Sequence, residues 1–245
     1  PVAAPFYTLL ALSAAKEHYD YAVRFAAHNF TSQRAAWSPR PSNKIRIAYV
    51  SADVKQHAVM QLLIGVIENH DRSKYHVTAV DLRPVPEDDM RRRVRAAVDC
   101  FLTVSDLDDD AVLELLRAHQ FDIAVDLQGY THGHRLQLFM RGIAPVQVSY
   151  LGYAGTLGST FMDYILADRN IIPESDSCWY TEQVVYLPNS YQPNDSHRAI
   201  SVMPESRHAA GLPEAGFVFA CFNNPAKIQP PVFDAWMRLL KATPD

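Results

Sequence analysis

Residues 44–66, KIRIAYVSADVKQHAVMQLLIGV, decide how the chain is read. The stretch opens on a short apolar run, Ile45 to Val50, of the kind that makes a strand buried on both faces of a parallel sheet. It turns at Ser51-Ala52-Asp53, and apolar residues return at helical spacing with Val59, Leu62, Leu63, Val66 and Ile67. The order is strand, loop, helix. In an open α/β sheet ligands collect beyond the carboxyl ends of the strands. This loop puts Asp53 and His57 there, just ahead of a helix N-terminus whose free N–H groups favour anions. A carboxylate and an imidazole at that place are candidates for acid–base work or for positioning an anionic ligand. The structural alternative is that Asp53 caps a turn and His57 only occupies the first helical turn.

The same rhythm continues downstream. His76–Leu82 reads as a strand, Glu87–Asp99 as a helix, Cys100–Val104 as a strand, Ala111–His119 as a helix and Asp122–Leu127 as a strand. Pro145–Leu151, Phe161–Ala167 and Gln183–Leu187 are further short strands, so the alternation predicts a parallel, doubly wound α/β sheet. The cluster Arg91, Arg92, Arg93 and Arg95 reads as a solvated helix face. Upstream, Leu12, Ala15, Tyr19, Ala22 and Phe25 predict one amphipathic helix over Pro5–Phe30, and the Pro-containing segment Thr31–Asn43 a linker. After a polar connection and a composition shift over Ser201–Gly216, Phe217–Phe222 reads as a strand and Pro230–Ala242 as a helix. These open a second α/β domain, with Lys227 on the loop where a phosphate would be met.

Two more loops carry chemistry. The strand ending at Leu127 runs into Gln128-Gly129-Tyr130-Thr131-His132-Gly133-His134-Arg135, whose glycines allow close backbone approach and whose Tyr130, His132 and His134 offer hydrogen bonds or ring stacking. Two histidines without a third ligand are weak evidence for a metal, and positioning of a polar substrate is the more natural use. The strand at Pro145–Leu151 is followed by Gly152-Tyr153-Ala154-Gly155-Thr156-Leu157-Gly158-Ser159, whose backbone amides are expected to cradle a sugar or phosphate. The spacing matches neither the dinucleotide fingerprint nor the P-loop, which removes support for nicotinamide binding and ordinary ATP hydrolysis.

Composition narrows the class further. The 245 residues are 48% hydrophobic and 20% charged, an ordinary globular balance. A net charge of −4 gives no electrostatic case for nucleic acid or an anionic membrane. No apolar run approaches the ~20 residues of a membrane span, and the opening residues lack a secretory pattern. Three widely spaced cysteines suggest neither a disulfide framework nor a metal site, so a reducing cytoplasm is the expected home. The start at Pro1 and the helical pattern stopping at Asp245 read as a piece of a longer polypeptide.

Taken together, four blocks resemble one family. YVSADxxxH at Tyr49–His57, DLQGYTHGHR at Asp126–Arg135, APVQVSYLGYAGTLGSTFMDYILAD at Ala144–Asp168 and CFNNPAKI at Cys221–Ile228 are similar, in order and approximate spacing, to the catalytic region of the O-linked N-acetylglucosamine (O-GlcNAc) transferases. The bacterial members that carry tetratricopeptide repeats upstream are the nearer likeness. The resemblance implies a GT-B architecture: residues 1–43 a helical junction and linker, 44–210 the N-terminal Rossmann-like catalytic lobe, and 211–245 the beginning of the C-terminal nucleotide-sugar-binding lobe. It implies an inverting transfer of N-acetylglucosamine from UDP-GlcNAc to Ser or Thr of acceptor proteins, without metal or other cofactor. By motif position it implies catalytic roles for His57 (base), Asp53 (proton relay) and Lys227 (diphosphate leaving group). Tyr130, Leu151, Gly152 and Asn224 would lie at the substrate.

The chain departs from that pattern at His57-Ala58-Val59, where His-Pro-Thr is common, at Ala154, where a proline is common, and at Pro225-Ala226, where a bulkier pair is usual. These positions bear on donor preference and turnover. Two other readings stand beside the first: a UDP-glucose-dependent protein N-glucosyltransferase on the same scaffold, and a non-catalytic module that binds nucleotide-sugar or peptide, motivated by Val59 and Ala154. With the remainder of the second lobe absent, the chain by itself is expected to be inactive.

Overall fold

The computed structural model describes residues 4–243 apart from 13, 32, 33, 36, 37, 201 and 204. Two helices come first, α1 (Pro5–Ala11) and α2 (Ala15–Asn29). Strands and helices then alternate: β1 (Ile45–Ser51), α3 (Ala58–Glu68), β2 (Tyr75–Asp81), α4 (Asp89–Ala97), β3 (Cys100–Thr103), α5 (Asp109–Ala118), β4 (Ile123–Asp126), α6 (Leu136–Arg141) and β5 (Val146–Ser149). Strands β6 (Tyr164–Ala167) and β7 (Gln183–Tyr186) follow, and α7 (Pro230–Ala242) comes last. Helices α4 and α5 start where Asp88 and Asp108 accept hydrogen bonds from the backbone N–H groups of Arg91 and Ala111, the usual way an aspartate satisfies an open first turn.

The seven strands form one sheet in the order β3-β2-β1-β4-β5-β6-β7, and each neighbouring pair is parallel. The chain winds outward from β1 to β3 and then returns to the other side of β1, so β1 and β4 flank the point where the winding reverses. β1 alternates between two cores as a strand covered on both faces must. Ala48 and Val50 pack in a cluster with Leu116, Leu136 and Phe139 from α5 and α6. Ile47 and Tyr49 pack in another with Met60, Leu63 and Ile64 of α3 and Val94 of α4. Each buried valine, leucine, isoleucine, methionine or phenylalanine among them contributes about 1.5–3 kcal/mol by leaving water.

The chain divides into two units, Pro1–His197 and Arg198–Asp245, a division that falls ahead of the expected boundary at 211. The first holds the whole sheet. The second holds a short 3-10 turn, Pro225–Lys227, and α7. No helix among the described residues is long and apolar enough to cross a membrane.

Four expectations need correction. The single helix over Pro5–Phe30 is two, because Leu12 and Ala14 are extended. The break has a purpose: residues 8 and 18 would stand about 15 Å apart along one helix, yet Thr8 Oγ1 lies 2.9 Å from His18 Nδ1. Phe217–Phe222 is not a strand; Phe217 and Phe222 are exposed, and without neighbouring strands an apolar run has no ladder to join. The arginine cluster is not merely solvated, since Arg91 is buried against Asp81 and Arg93 bridges Glu68 and Asp195. Helix α6, between the loop that ends at Arg135 and the strand expected from Pro145, was not anticipated. Residues 32, 33, 36 and 37 of the expected linker lie outside the described residues.

Candidate active site

The loops that leave β1 and β4 meet at the reversal point, where open α/β sheets place their ligands. Gln128, buried at the end of the β4 segment, ties them together. Its Oε1 accepts from Ser51 Oγ at 3.0 Å, and its Nε2 donates to Asp53 Oδ2 at 3.1 Å, Thr131 Oγ1 at 3.1 Å and the His132 carbonyl at 3.2 Å. The amide orientation follows from its partners. A carboxylate and a carbonyl accept only, so the nitrogen must face them, while Ser51 Oγ already accepts from Asp53 N and has its proton free for Oε1. Asp53 is thereby held by a charge-assisted bond, with Lys55 Nζ and His57 Nδ1 each 3.8 Å from one of its oxygens.

His57 is the N-cap of α3. Its Nδ1 accepts from Val59 N at 3.4 Å, which in a neutral imidazole places the ring proton on Nε2. The ring is 41% exposed, so Nε2–H is available as a donor to a bound molecule. Nδ1 is the nitrogen near Asp53, and it serves the helix amide.

Asp126 shapes the start of the β4 loop. Fully buried, it accepts from Gln128 N at 3.1 Å and Gly129 N at 2.8 Å; burial outweighs these two bonds and raises its carboxyl to a pKa of about 6. Gly129 has a φ of +53°, and a Cβ there would sit 2.4 Å from Tyr153 Cβ, so only glycine fits. Tyr130 is 3% exposed, donates its hydroxyl to the Leu157 carbonyl at 2.7 Å, and packs on Phe25, Phe30 and Tyr153. Its phenol is committed to the protein interior. His132 is exposed, whereas Nδ1 of His134 is buried without a partner; the two find no third metal-capable side chain among the described residues.

The glycine-bearing loop after β5 does something other than expected. Buried Glu182 takes one of its amides and one of its hydroxyls, accepting from Leu157 N and Thr156 Oγ1, each at 2.7 Å, and Gly158 N is spent on Thr156 Oγ1 at 3.1 Å. Burial raises the Glu182 carboxyl against the pull of those bonds. A Cβ at Gly155 would lie 2.5 Å from His18 Nε2, and one at Gly158 2.3 Å from the Ala22 carbonyl carbon, so these glycines admit α2. Gly152 is required by the Leu127 carbonyl oxygen, 1.9 Å from where its Cβ would stand. Before it, half-buried Leu151 holds a φ of +68°, a left-handed conformation unusual for so bulky a residue and a mark of stored strain at a strand's carboxyl end.

Asn224 and Lys227 belong to the second unit. Lys227 N donates to the Asn224 carbonyl at 2.9 Å inside the 3-10 turn, and Lys227 is exposed. The following helix begins with Pro230 and Pro231, which removes two first-turn N–H groups and leaves the lysine as the principal cation of that loop.

The structure thus brings Asp53 and His57 together, sets Leu151 and Gly152 at the end of β5, turns Tyr130 inward, and carries Asn224 and Lys227 on the other unit. Sequence reasoning did not single out Gln128, Ser51 or Asp126. For Ser51 and Asp126 the available signal was a polar residue at the last position of a mostly apolar strand; Gln128 stands two residues beyond the end of β4.

Comparison with known proteins identifies the family. The profile described as Glycosyl transferase family 41 matches residues 22–205. An Arabidopsis thaliana protein named "Probable UDP-N-acetylglucosamine-peptide N-acetylglucosaminyltransferase SEC" is 32% identical over 255 residues, covering 100% of this chain and 26% of that one. A Petunia hybrida protein of the same enzyme name, SPINDLY, is 30% identical over 93% of this chain and 24% of its own length. Among solved structures, a mutant of the Thermobaculum terrenum O-GlcNAc transferase superposes with a TM-score of 0.84 at 33% identity, covering 96% of this chain and 45% of that one. The chain therefore spans about a quarter of the plant relatives' length and under half of the bacterial structure. Its first unit is the N-terminal Rossmann-like lobe of a GT-B fold, and the chain belongs to glycosyl transferase family 41.

Proposed function

We propose that this chain is the acceptor-activating part of a protein O-GlcNAc transferase, which moves N-acetylglucosamine from UDP-GlcNAc to Ser or Thr hydroxyls with inversion and without metal. The observation that carries the reading is the Asp53–Gln128 bond at the sheet's reversal point, with the His57 ring beside it. A serine or threonine hydroxyl attacks the anomeric carbon as the bond to the diphosphate oxygen breaks and its electron pair leaves on UDP. The hydroxyl proton must go to the protein or to water. Asp53, held by Gln128, is assigned the proton; His57 Nε2–H is assigned a positioning hydrogen bond, since Nδ1 is used by Val59 N. Leu151 and Gly152 are assigned to the sugar. Lys227, with Asn224 beside it, is assigned the diphosphate, where a cation stabilises the charge that grows in the transition state. Tyr130 acts at one remove, by fixing the loop that carries Gln128.

The test uses the full-length protein with radiolabelled UDP-GlcNAc or UDP-glucose, mixed protein acceptors, and EDTA in half of the samples. EDTA-insensitive labelling of Ser or Thr from UDP-GlcNAc, released by β-elimination, is the expected result. Label that resists β-elimination and comes from UDP-glucose would replace the reading with asparagine glucosylation. UDP binding with no protein labelling would replace it with a binding module.

A further inference from the structure

Arginines in the first unit are almost all engaged. Arg46 holds Asp122, Arg72 holds Asp99, Arg91 holds Asp81 and Arg135 holds Asp109. Arg34 binds Asp163, and Arg117 donates to the Gly142 carbonyl. Among described residues, the one arginine of that unit that is not exposed and yet has no carboxylate or carbonyl for its guanidinium is Arg83.

Its place is unusual too. Arg83 leaves the carboxyl end of β2, one strand over from the Asp53 loop, with its backbone N–H on Asp81 Oδ1 at 3.4 Å. Its stem crosses Gly133. A Cβ at that glycine, where φ is +85°, would come 2.7 Å from Arg83 Cδ and 3.0 Å from Ala52 Cβ. A side chain at 133 would displace the arginine, so the glycine keeps the guanidinium laid across the loops that leave β1 and β4. A half-buried cation with no partner forgoes the pairing that the other arginines of similar burial in that unit have, and a guanidinium fork is shaped for two oxygens of one carboxylate.

We propose that Arg83 is a recognition point for an acidic side chain of the acceptor polypeptide. The proposal rests on the transferase reading above. An acceptor carboxylate fits better than the donor's diphosphate, because Asp53 already places a negative charge in the same crevice. A single added charge meets less repulsion there than a diphosphate would. Arg83 also belongs to the unit that carries the proposed acceptor-activating residues, whereas the proposed diphosphate lysine does not.

The test measures binding, so it is independent of turnover. Fluorescent serine peptides, in which one glutamate is moved along a neutral sequence, are titrated into the full-length protein beside their glutamine counterparts. At the best position wild type is expected to prefer glutamate by about five- to tenfold, and Arg83→Met, which keeps the stem, is expected to bring that ratio to about one. Arg83→Lys, which keeps the charge without the fork, is expected to restore part of the ratio and serves as the folding control. A preference that survives Arg83→Met, or no preference in wild type, overturns the proposal. So does a loss of UDP affinity in Arg83→Met with the peptide ratio intact, which would assign the cation to the donor. Absence of sugar transfer with an intact, Arg83-dependent peptide preference would instead sink the transferase reading alone.

Discussion

Replacing Gln128 by leucine tests the organisation of the site directly. Leucine has nearly the same volume, so the cavity term is small, and the substitution removes all four hydrogen bonds of the amide. The bond to the Asp53 carboxylate is worth about 1.5–3 kcal/mol and the neutral ones about 1 kcal/mol each. Asp53 keeps 17% of its side chain exposed and recovers part of the loss from water, so we expect about 3 kcal/mol of destabilisation. In a unit of this size that is a melting temperature lower by about 6–12 °C. Sugar transfer should fall by about 100-fold at unchanged donor affinity, because a carboxylate free to shift by about 1 Å no longer meets the acceptor proton.

Gln128→Glu sharpens the test, since it sets a second carboxylate about 3 Å from Asp53 Oδ2. The pair shares a proton, and its folded-state pKa rises above the unfolded value. The contribution of that proton is present at low pH and lost as pH rises, so the deficit relative to wild type at about pH 7.5 should shrink at about pH 5. Differential scanning calorimetry at the two pH values and a filter-binding transfer assay read both effects. A Gln128→Leu protein that melts within about 1 °C of wild type and transfers sugar at the wild-type rate would refute the clamp.

Three further outcomes follow from the packing. Gly158→Ala combines a left-handed backbone with a Cβ 2.3 Å from the backbone of α2, so α2 must move away; the readout is early tryptic cleavage within α2, and a cleavage pattern like wild type's would contradict the contact. Tyr130→Phe removes the bond to Leu157 O and should lower the melting temperature by about 2–6 °C; a raised donor KM at unchanged melting temperature would instead make Tyr130 a substrate contact. His18, depressed to about 4 by burial, is neutral in both states above its unfolded value near 6.5; between those values only the unfolded chain takes the proton, so stability should fall as pH falls, and His18→Gln should flatten that dependence in urea melts.

The parallel sheet was legible because burial on both faces writes continuous apolar runs, and Ile47–Val50 is one. Asp53 and His57 were legible for a related reason: the strand-to-helix turn fixes where a loop residue must stand. The glycines at 152, 155 and 158 were legible as close approaches, but not as approaches to what. Sequence spacing cannot distinguish a sugar from Glu182 or from α2, which meet that loop from positions far away in the chain. Phe217–Phe222 failed for the opposite reason. Its apolar pattern suits a strand, yet a strand is defined by its neighbours; in the second unit the segment lines an apolar hollow of about 530 Å³ with Trp236, Met237 and Leu240.

The inward turn of Tyr130 changes what the leading helices are for. Phe25 of α2 meets the Tyr130 ring edge-on at a centroid distance of 5.3 Å, and Phe30 stacks on it at 6.3 Å. His18 bonds Tyr153 at 3.0 Å, and Tyr153 fills the space over Gly129 that a side chain would need. Gly129 and Tyr130 directly follow Gln128, whose amide holds Asp53. Every step in that line is a packed ring or a directed hydrogen bond, and a loop bounded on one side by the fully buried Asp126 and on the other by Tyr130 has little freedom to drift. The helical pair at the start of the chain is therefore part of the scaffold of the site. Its removal should act on Asp53 through the loop, as loss of positioning, without any contact between α2 and substrate.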